Sequence, residues 1–126
     1  MKKIALFSFL FSLVSSSFAG TLENIISAIK NNDAEVLSEY FDGNIDLKIL
    51  EKENIFSKAQ ARIMFKDFIS NHKVTNVTLN HQGGPENARF AICNLNTSDG
   101  AFRLYFLLKL KEGQLLIQKF RIEKDG

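Results

Sequence analysis

Phe102-Arg103-Leu104-Tyr105-Phe106-Leu107-Leu108-Lys109-Leu110 is the stretch on which the fold turns. In an extended chain, successive side chains point to opposite faces. Phe102, Leu104, Phe106, Leu108 and Leu110 therefore share one side, and Arg103, Tyr105, Leu107 and Lys109 share the other. Five apolar side chains in a row need a second layer to cover them. The row predicts a strand whose inner face meets helices.

Towards the C-terminus, Glu112-Gly113 is a hairpin turn and Leu115 to Ile122 is the next strand. A strict two-residue loop pairs Lys111 with Gln114 and would turn Lys119 and Arg121 inward. A three-residue loop with Gly113 left-handed pairs Leu110 with Gln114 and turns Leu116, Phe120 and Ile122 inward. Burying two unpaired cations costs several kcal/mol each, whereas a bulge at glycine costs little, so the bulged register is expected. Towards the N-terminus, Asp99-Gly100 joins the row to Arg89–Leu95, with Ala91, Cys93 and Leu95 inward and Phe90 and Ile92 outward. Before it, Val77 and Leu79 lead through His81 into the turn Gln82-Gly83-Gly84-Pro85. These four strands read as one antiparallel meander.

Ahead of them the period is helical. Leu22, Ile25, Ile26 and Ile29 form one stripe after a Thr21 cap, and Asp33 caps a second helix carrying Leu37, Tyr40 and Phe41. Asp42-Gly43-Asn44 stops it, and Ile45, Leu47 and Ile49 alternate as a short strand. A charged connection from Glu51 to Asn54 reaches the capping box Ser57-Lys58-Ala59-Gln60. The third helix sets Ala61, Met64, Phe65, Phe68 and His72 on one face and Lys58, Arg62 and Lys66 on another. The class is α+β, with N-terminal helices packed on a curved antiparallel sheet of about four main strands.

Residues 1–19 read as a cleavable signal peptide. Lys2 and Lys3 precede an apolar run from Ile4 to Val14, and Ser17-Phe18-Ala19 places small residues where a signal peptidase reads. The run is shorter than the roughly 20 residues of a membrane-spanning helix, so no stable membrane anchor is expected. Residues 20–126 then form one domain, exported to the periplasm or beyond. The formal charge is +2 for 126 residues, but 16 basic residues less Lys2 and Lys3 leave 14 against 14 acidic ones. That balance argues against nucleic acid as a partner. Cys93 is the single cysteine, so no disulfide forms within the chain, and a core that draws on the eight of its twelve phenylalanines that follow residue 19 must stabilise it.

With this parity, Phe90, Ile92, Tyr105, Leu107, Leu115 and Ile117 lie on the sheet face away from the helices. Six such side chains approach the patch size that usually marks a contact, so a homodimer or another partner on this face is one expectation.

The segments Phe56-Ser57-Lys58-Ala59-Gln60-Ala61, Lys66-Asp67-Phe68, His81-Gln82-Gly83 and Asn94-Leu95-Asn96-Thr97-Ser98-Asp99-Gly100-Ala101-Phe102-Arg103, with Asn32-Asp33-Ala34 and Tyr40-Phe41 before them, resemble one family. It comprises small exported proteins of Bacteroidota, catalogued as domain of unknown function 4783. The resemblance implies a nuclear transport factor 2-like (cystatin-like) roll, whose curved sheet wraps around helices. That superfamily holds isomerases, dehydratases, hydrolases and proteins without activity, so the fold selects no function.

An isomerase or dehydratase on such a roll would need a base and an oxyanion donor inside it. Gln118, His81, Cys93 and Tyr40 are the pocket candidates, and none is an acid. No catalytic residue is assigned. No metal is expected, since His72 and His81 lack ligand spacing, and no cofactor is expected, since no phosphate-binding glycine motif occurs. The expectation is a non-catalytic module that binds a small apolar ligand or peptide, with a small isomerase- or dehydratase-type enzyme as the alternative.

Overall fold

The computed structural model describes residues 17–125. Most of the expected leader, residues 1–16, lies outside them. Helix α1 (Phe18–Lys30) is capped by Ser17, whose Oγ accepts from the Gly20 N–H at 3.2 Å. It begins before the expected Thr21 cap, because the Thr21 N–H already donates to the Ser17 carbonyl at 3.1 Å. Leu22, Ile25 and Ile29 are buried, as their spacing requires. Asn32 then turns the chain, and its side-chain amide clasps a distant strand. Its Nδ2 donates to the Val74 carbonyl at 3.0 Å, and its Oδ1 accepts from the Val74 N–H at 2.8 Å. Asp33 caps α2 (Ala34–Ser38), accepting from the Val36 N–H at 3.1 Å.

Asp42-Gly43-Asn44 does not end a helix but belongs to strand β1 (Phe41–Ile49), and Glu51–Asn54 is no plain connection but enters strand β2 (Lys52–Ser57). β2 is an exposed, charged edge strand, and such an edge carries no hydrophobic alternation to reveal it. Helix α3 (Lys58–Asn71) opens with the expected capping box, Ser57 and Gln60 exchanging bonds of 3.1 and 3.2 Å. Strands β3 (Val74–Gly83), β4 (Ala88–Thr97), β5 (Gly100–Lys111) and β6 (Gln114–Lys124) form the meander. β1 joins β6 in parallel, so the sheet is mixed and six-stranded, ordered β2-β1-β6-β5-β4-β3.

The row that opened the sequence reading faces the helices. Phe102, Leu104, Phe106 and Leu108 are at most 3% exposed, and Ala91, Cys93 and Leu95 beside them are fully buried. Leu110 keeps the same parity but stands 51% exposed, at the mouth of an open cleft. Phe120 closes the core with rings of Phe41 at 5.7 Å, Phe65 at 5.9 Å and Phe106 at 6.3 Å.

The extra residue that turns Lys119 and Arg121 to solvent is not at Gly113. Lys111 pairs with Gln114 across a two-residue turn, with φ of 50° at Glu112 and 81° at Gly113, the left-handed pair of a type I′ hairpin. Leu110 therefore faces Leu115. The register shifts further along, between the pairs Leu108–Ile117 and Leu107–Lys119, so Gln118 is the bulged residue. Ile117 consequently enters the core in place of Leu116, while Phe120 and Ile122 are buried as expected. A second bulge skips Asn80 between the pairs Leu79–Cys93 and His81–Ile92, which turns His81 to the outer face.

Candidate functional site

The four expected pocket residues do not converge. Cys93 is sealed in the core, and burial pushes its thiol up to about 12. His81 is exposed, on the outer face, its ring 5.6 Å from that of Phe90. Tyr40 is half-buried and contributes its carbonyl, which accepts from the Ile117 N–H at 2.7 Å. Gln118 donates to Asp42 across the β1–β6 seam.

Asp42, read as a helix breaker in the sequence, is instead a buried carboxylate with three kinds of donor. Lys111 Nζ reaches its oxygens at 3.1 and 3.0 Å, the Gly43 N–H donates at 2.8 Å, and Gln118 is the third. Burial pushes this carboxyl up, but the Lys111 and Gly43 bonds with the charges of Lys111 and Lys58 outweigh it, and the net shift is downward. A carboxylate so saturated with donors is a tie between strands rather than a base.

On the outer face, Phe90 stacks on Tyr105 at 6.2 Å, with Ile92 and Leu107 beside them, all half-buried. Of the other two expected interface residues, Ile117 is in the core and Leu115 packs partly against it. The row is bordered on β6, β1 and β2 by ion pairs: Lys48–Glu123 at 3.0 Å, Arg121–Glu53 at 3.1 Å and Lys119–Asp46 at 3.9 Å.

Two arrangements that the sequence did not assemble, the partner of His72 and the surroundings of Arg89, carry more chemistry. His72 ends α3 with Nδ1 2.9 and 3.0 Å from the two Asp99 oxygens, its ring packed on Phe68 at 4.8 Å and Phe102 at 5.1 Å. The bond from His72, then one from Thr97, holds the Asp99 carboxyl below its ordinary range. The same imidazole lines a cleft of about 270 Å³ with Ile49, Leu50, Met64 and Phe68.

The second feature is the open end of the roll. Arg89 pairs with Leu108, so it shares the inward parity of Ala91 and Cys93 but sits at the rim. Its Nη1 donates to the Gly84 carbonyl at 2.8 Å, and its guanidinium lies 4.5 Å over the Phe18 ring. Its Nε is buried and has no hydrogen-bond partner among the described residues. A cleft of about 950 Å³ opens here, walled by Phe18, Pro85, Glu86, Arg89, Leu110 and Leu115. The alternation that placed Ala91 and Cys93 inward, carried back two residues, would have placed Arg89 there too.

A sequence model of the family described as "Domain of unknown function (DUF4783)" matches residues 22–123. The chain belongs to this family. A crystal structure of a DUF4783 protein from Bacteroides uniformis ATCC 8492 superposes with a TM-score of 0.79 at 32% identity, covering 82% of this chain and 96% of that one. One from Bacteroides ovatus ATCC 8483 gives 0.78 at 30% identity, covering 82% and 94%. An NTF2-like protein of unknown function from Cytophaga hutchinsonii ATCC 33406, at 11% identity, gives 0.66 over 90% and 94%, which shows the shared roll. No curated protein matches. The DUF4783 domain is thus an NTF2-like roll, with helices on the inner face of the curved sheet. Among its described residues, no helix is long and apolar enough to cross a membrane.

Proposed function

We propose that this DUF4783 protein is exported, loses residues 1–19, and acts without catalysis by binding a small ligand at the open end of its roll. One observation carries the reading: a guanidinium on the inner face of the sheet, with a buried Nε that lacks a partner, at the wall of a cleft whose rim exposes Leu110. An unmet buried donor costs about 1–3 kcal/mol. Arg89 Nη2 also makes no hydrogen bond among the described residues, and a site that combines this guanidinium edge with apolar walls suits a ligand that carries an acceptor. The fluorescent probe 8-anilinonaphthalene-1-sulfonate, which joins an anion to aromatic rings, tests this. Titrated into the folded, leader-free protein, it should brighten at one site and lose that response in Leu110→Asp. A response absent from the wild type, or unchanged in that variant, refutes the reading.

The His72–Asp99 pair favours a second reading, an enzyme of isomerase or dehydratase type. A carboxylate on Nδ1 fixes the tautomer and leaves Nε2 to take a proton from a substrate in the adjoining cleft. Ultraviolet assays on a panel of small enones and 3-hydroxy ketones test it. Turnover that His72→Gln abolishes at an unchanged melting temperature would establish this reading, and no turnover across the panel would count against it.

The outer sheet face supports a further proposal, a homodimer joined through Phe90, Ile92, Tyr105 and Leu107. Acidic and basic residues interleave along its border, so two copies approach without net repulsion. Light scattering should show a dimer that Tyr105→Glu dissociates, and a wild-type protein that stays monomeric at millimolar concentration removes it.

A further inference from the structure

Phe18 and Ala19 belong to the segment read as a leader, yet they form part of the open-end cleft. Ser17, Phe18 and Ala19 wall it on one side, and the Phe18 ring lies against the Arg89 guanidinium at 4.5 Å. That contact is a cation–π pair, worth most where water is excluded. It occupies the face of the one cation in the cleft wall. Arg89 makes no ion pair among the described residues, and Glu86 is the one carboxylate in the wall.

Cleavage after Ala19 changes this site in three ways. Water adds its hydroxyl to the Ala19 carbonyl and its proton to the Gly20 nitrogen, as in any peptidase hydrolysis. The Phe18 ring leaves the guanidinium, the cleft loses one wall, and a new α-ammonium appears at Gly20 beside it. The site then holds two cationic groups and one acid, bordered by Leu110, Leu115 and the Pro85 ring. Carboxylate recognition by a guanidinium with free N–H groups is charge-assisted and directional. The apolar border asks for a chain or ring attached to that carboxylate.

We propose that the open end is a binding site for an amphipathic monocarboxylate, and that Phe18 covers it until the Ala19–Gly20 bond is cut. This rests on the binding reading above and on the leader reading of residues 1–19, and it adds the ligand's class and the masking.

The test uses dodecanoate as the probe and dodecan-1-ol as the same chain without its charge. Mass spectrometry of the protein recovered from the envelope of an exporting host should show an N-terminus at Gly20; a retained Phe18 overturns the unmasking. Calorimetric titration of that protein should give one dodecanoate site, with dodecan-1-ol weaker by about ten-fold or more. Arg89→Gln should lose a similar factor, with its melting temperature recording the fold. Should Arg89→Gln not fold, Leu110→Asp at the exposed rim takes its place. The chain begun at Ser17, which contains every described residue, should bind about ten-fold more weakly than the processed protein, and Phe18→Ala in it should restore affinity.

Each failure is distinct. Equal affinity for the alcohol overturns the carboxylate class while leaving the cleft as a binding site. Equal affinity of the Ser17 chain overturns the masking. Loss of both dodecanoate and the anilinonaphthalene response removes the binding reading itself.

Discussion

Truncating Phe120 to alanine removes a ring that touches three other phenylalanines and is fully shielded from water. Full burial of such a side chain contributes roughly 1.5–3 kcal/mol by transfer alone. The edge contacts with Phe41 and Phe65 add about 0.5–1.5 kcal/mol each at most, and the cavity left behind adds more, because β1, β5 and α3 cannot all collapse onto it. The expected loss is about 3–5 kcal/mol, a large share of the roughly 5–15 kcal/mol that stabilises a domain of this size. Phe90→Ala is the matched control. Phe90 has the same chemistry but lies half-buried on the outer face, stacked on Tyr105, and its removal should cost about 1 kcal/mol. Urea unfolding followed by far-ultraviolet circular dichroism gives both values from the shift in midpoint. Equal losses, or a larger loss for Phe90, would mean that the two faces of the sheet have been assigned the wrong way round.

Acid should destabilise the domain below about pH 4, the range of unfolded carboxylates. Asp42, Asp99 and Glu123 all titrate lower folded than unfolded, so their contribution is complete above that range and is lost as pH falls through the folded values. Lys111→Met leaves burial as the largest influence on Asp42 and should move the acid limb of the urea-midpoint profile to higher pH; an unmoved limb would show that Lys111 does not hold Asp42. Cys93 should ignore a disulfide reagent such as dithionitrobenzoate at pH 8 until the domain unfolds, since its thiol is fully buried and pushed up to about 12; prompt labelling of native protein would contradict that burial. Glu112→Asn should raise stability by about 0.5–1 kcal/mol, because asparagine tolerates the left-handed backbone that Glu112 adopts ahead of Gly113; a lower urea midpoint would argue against the type I′ turn.

Much of the roll was legible in the residues because burial enforces period. The alternation of Phe102 to Leu108, the three-four spacing of Leu22 to Ile29 and the Ser57–Gln60 box each name an element without help from the rest of the chain. The inward row of β5 and the solvent side of Lys119 and Arg121 followed from the same parity. The failures share one cause. Between Leu110 and Phe120 one extra residue is required, but Leu115, Leu116 and Ile117 are all apolar, so the pattern is silent on where that residue sits. β2 was silent because an edge strand buries little.

What the sequence determined by itself is therefore the class and order of elements, the two faces of the sheet, and the need for a bulge in its last hairpin. Tertiary structure alone decided where the bulges fall, and with them the places of His81, Ile117 and Gln118. Pairing Asp42 with Gln118 and Lys111 needs β1 laid parallel to β6, a contact between segments some seventy residues apart. The skip at Asn80 sends His81 outward, and the meeting of α3 with the β4–β5 turn brings His72 to Asp99. Such positions depend on which distant strands share hydrogen bonds, and local periodicity holds no record of that.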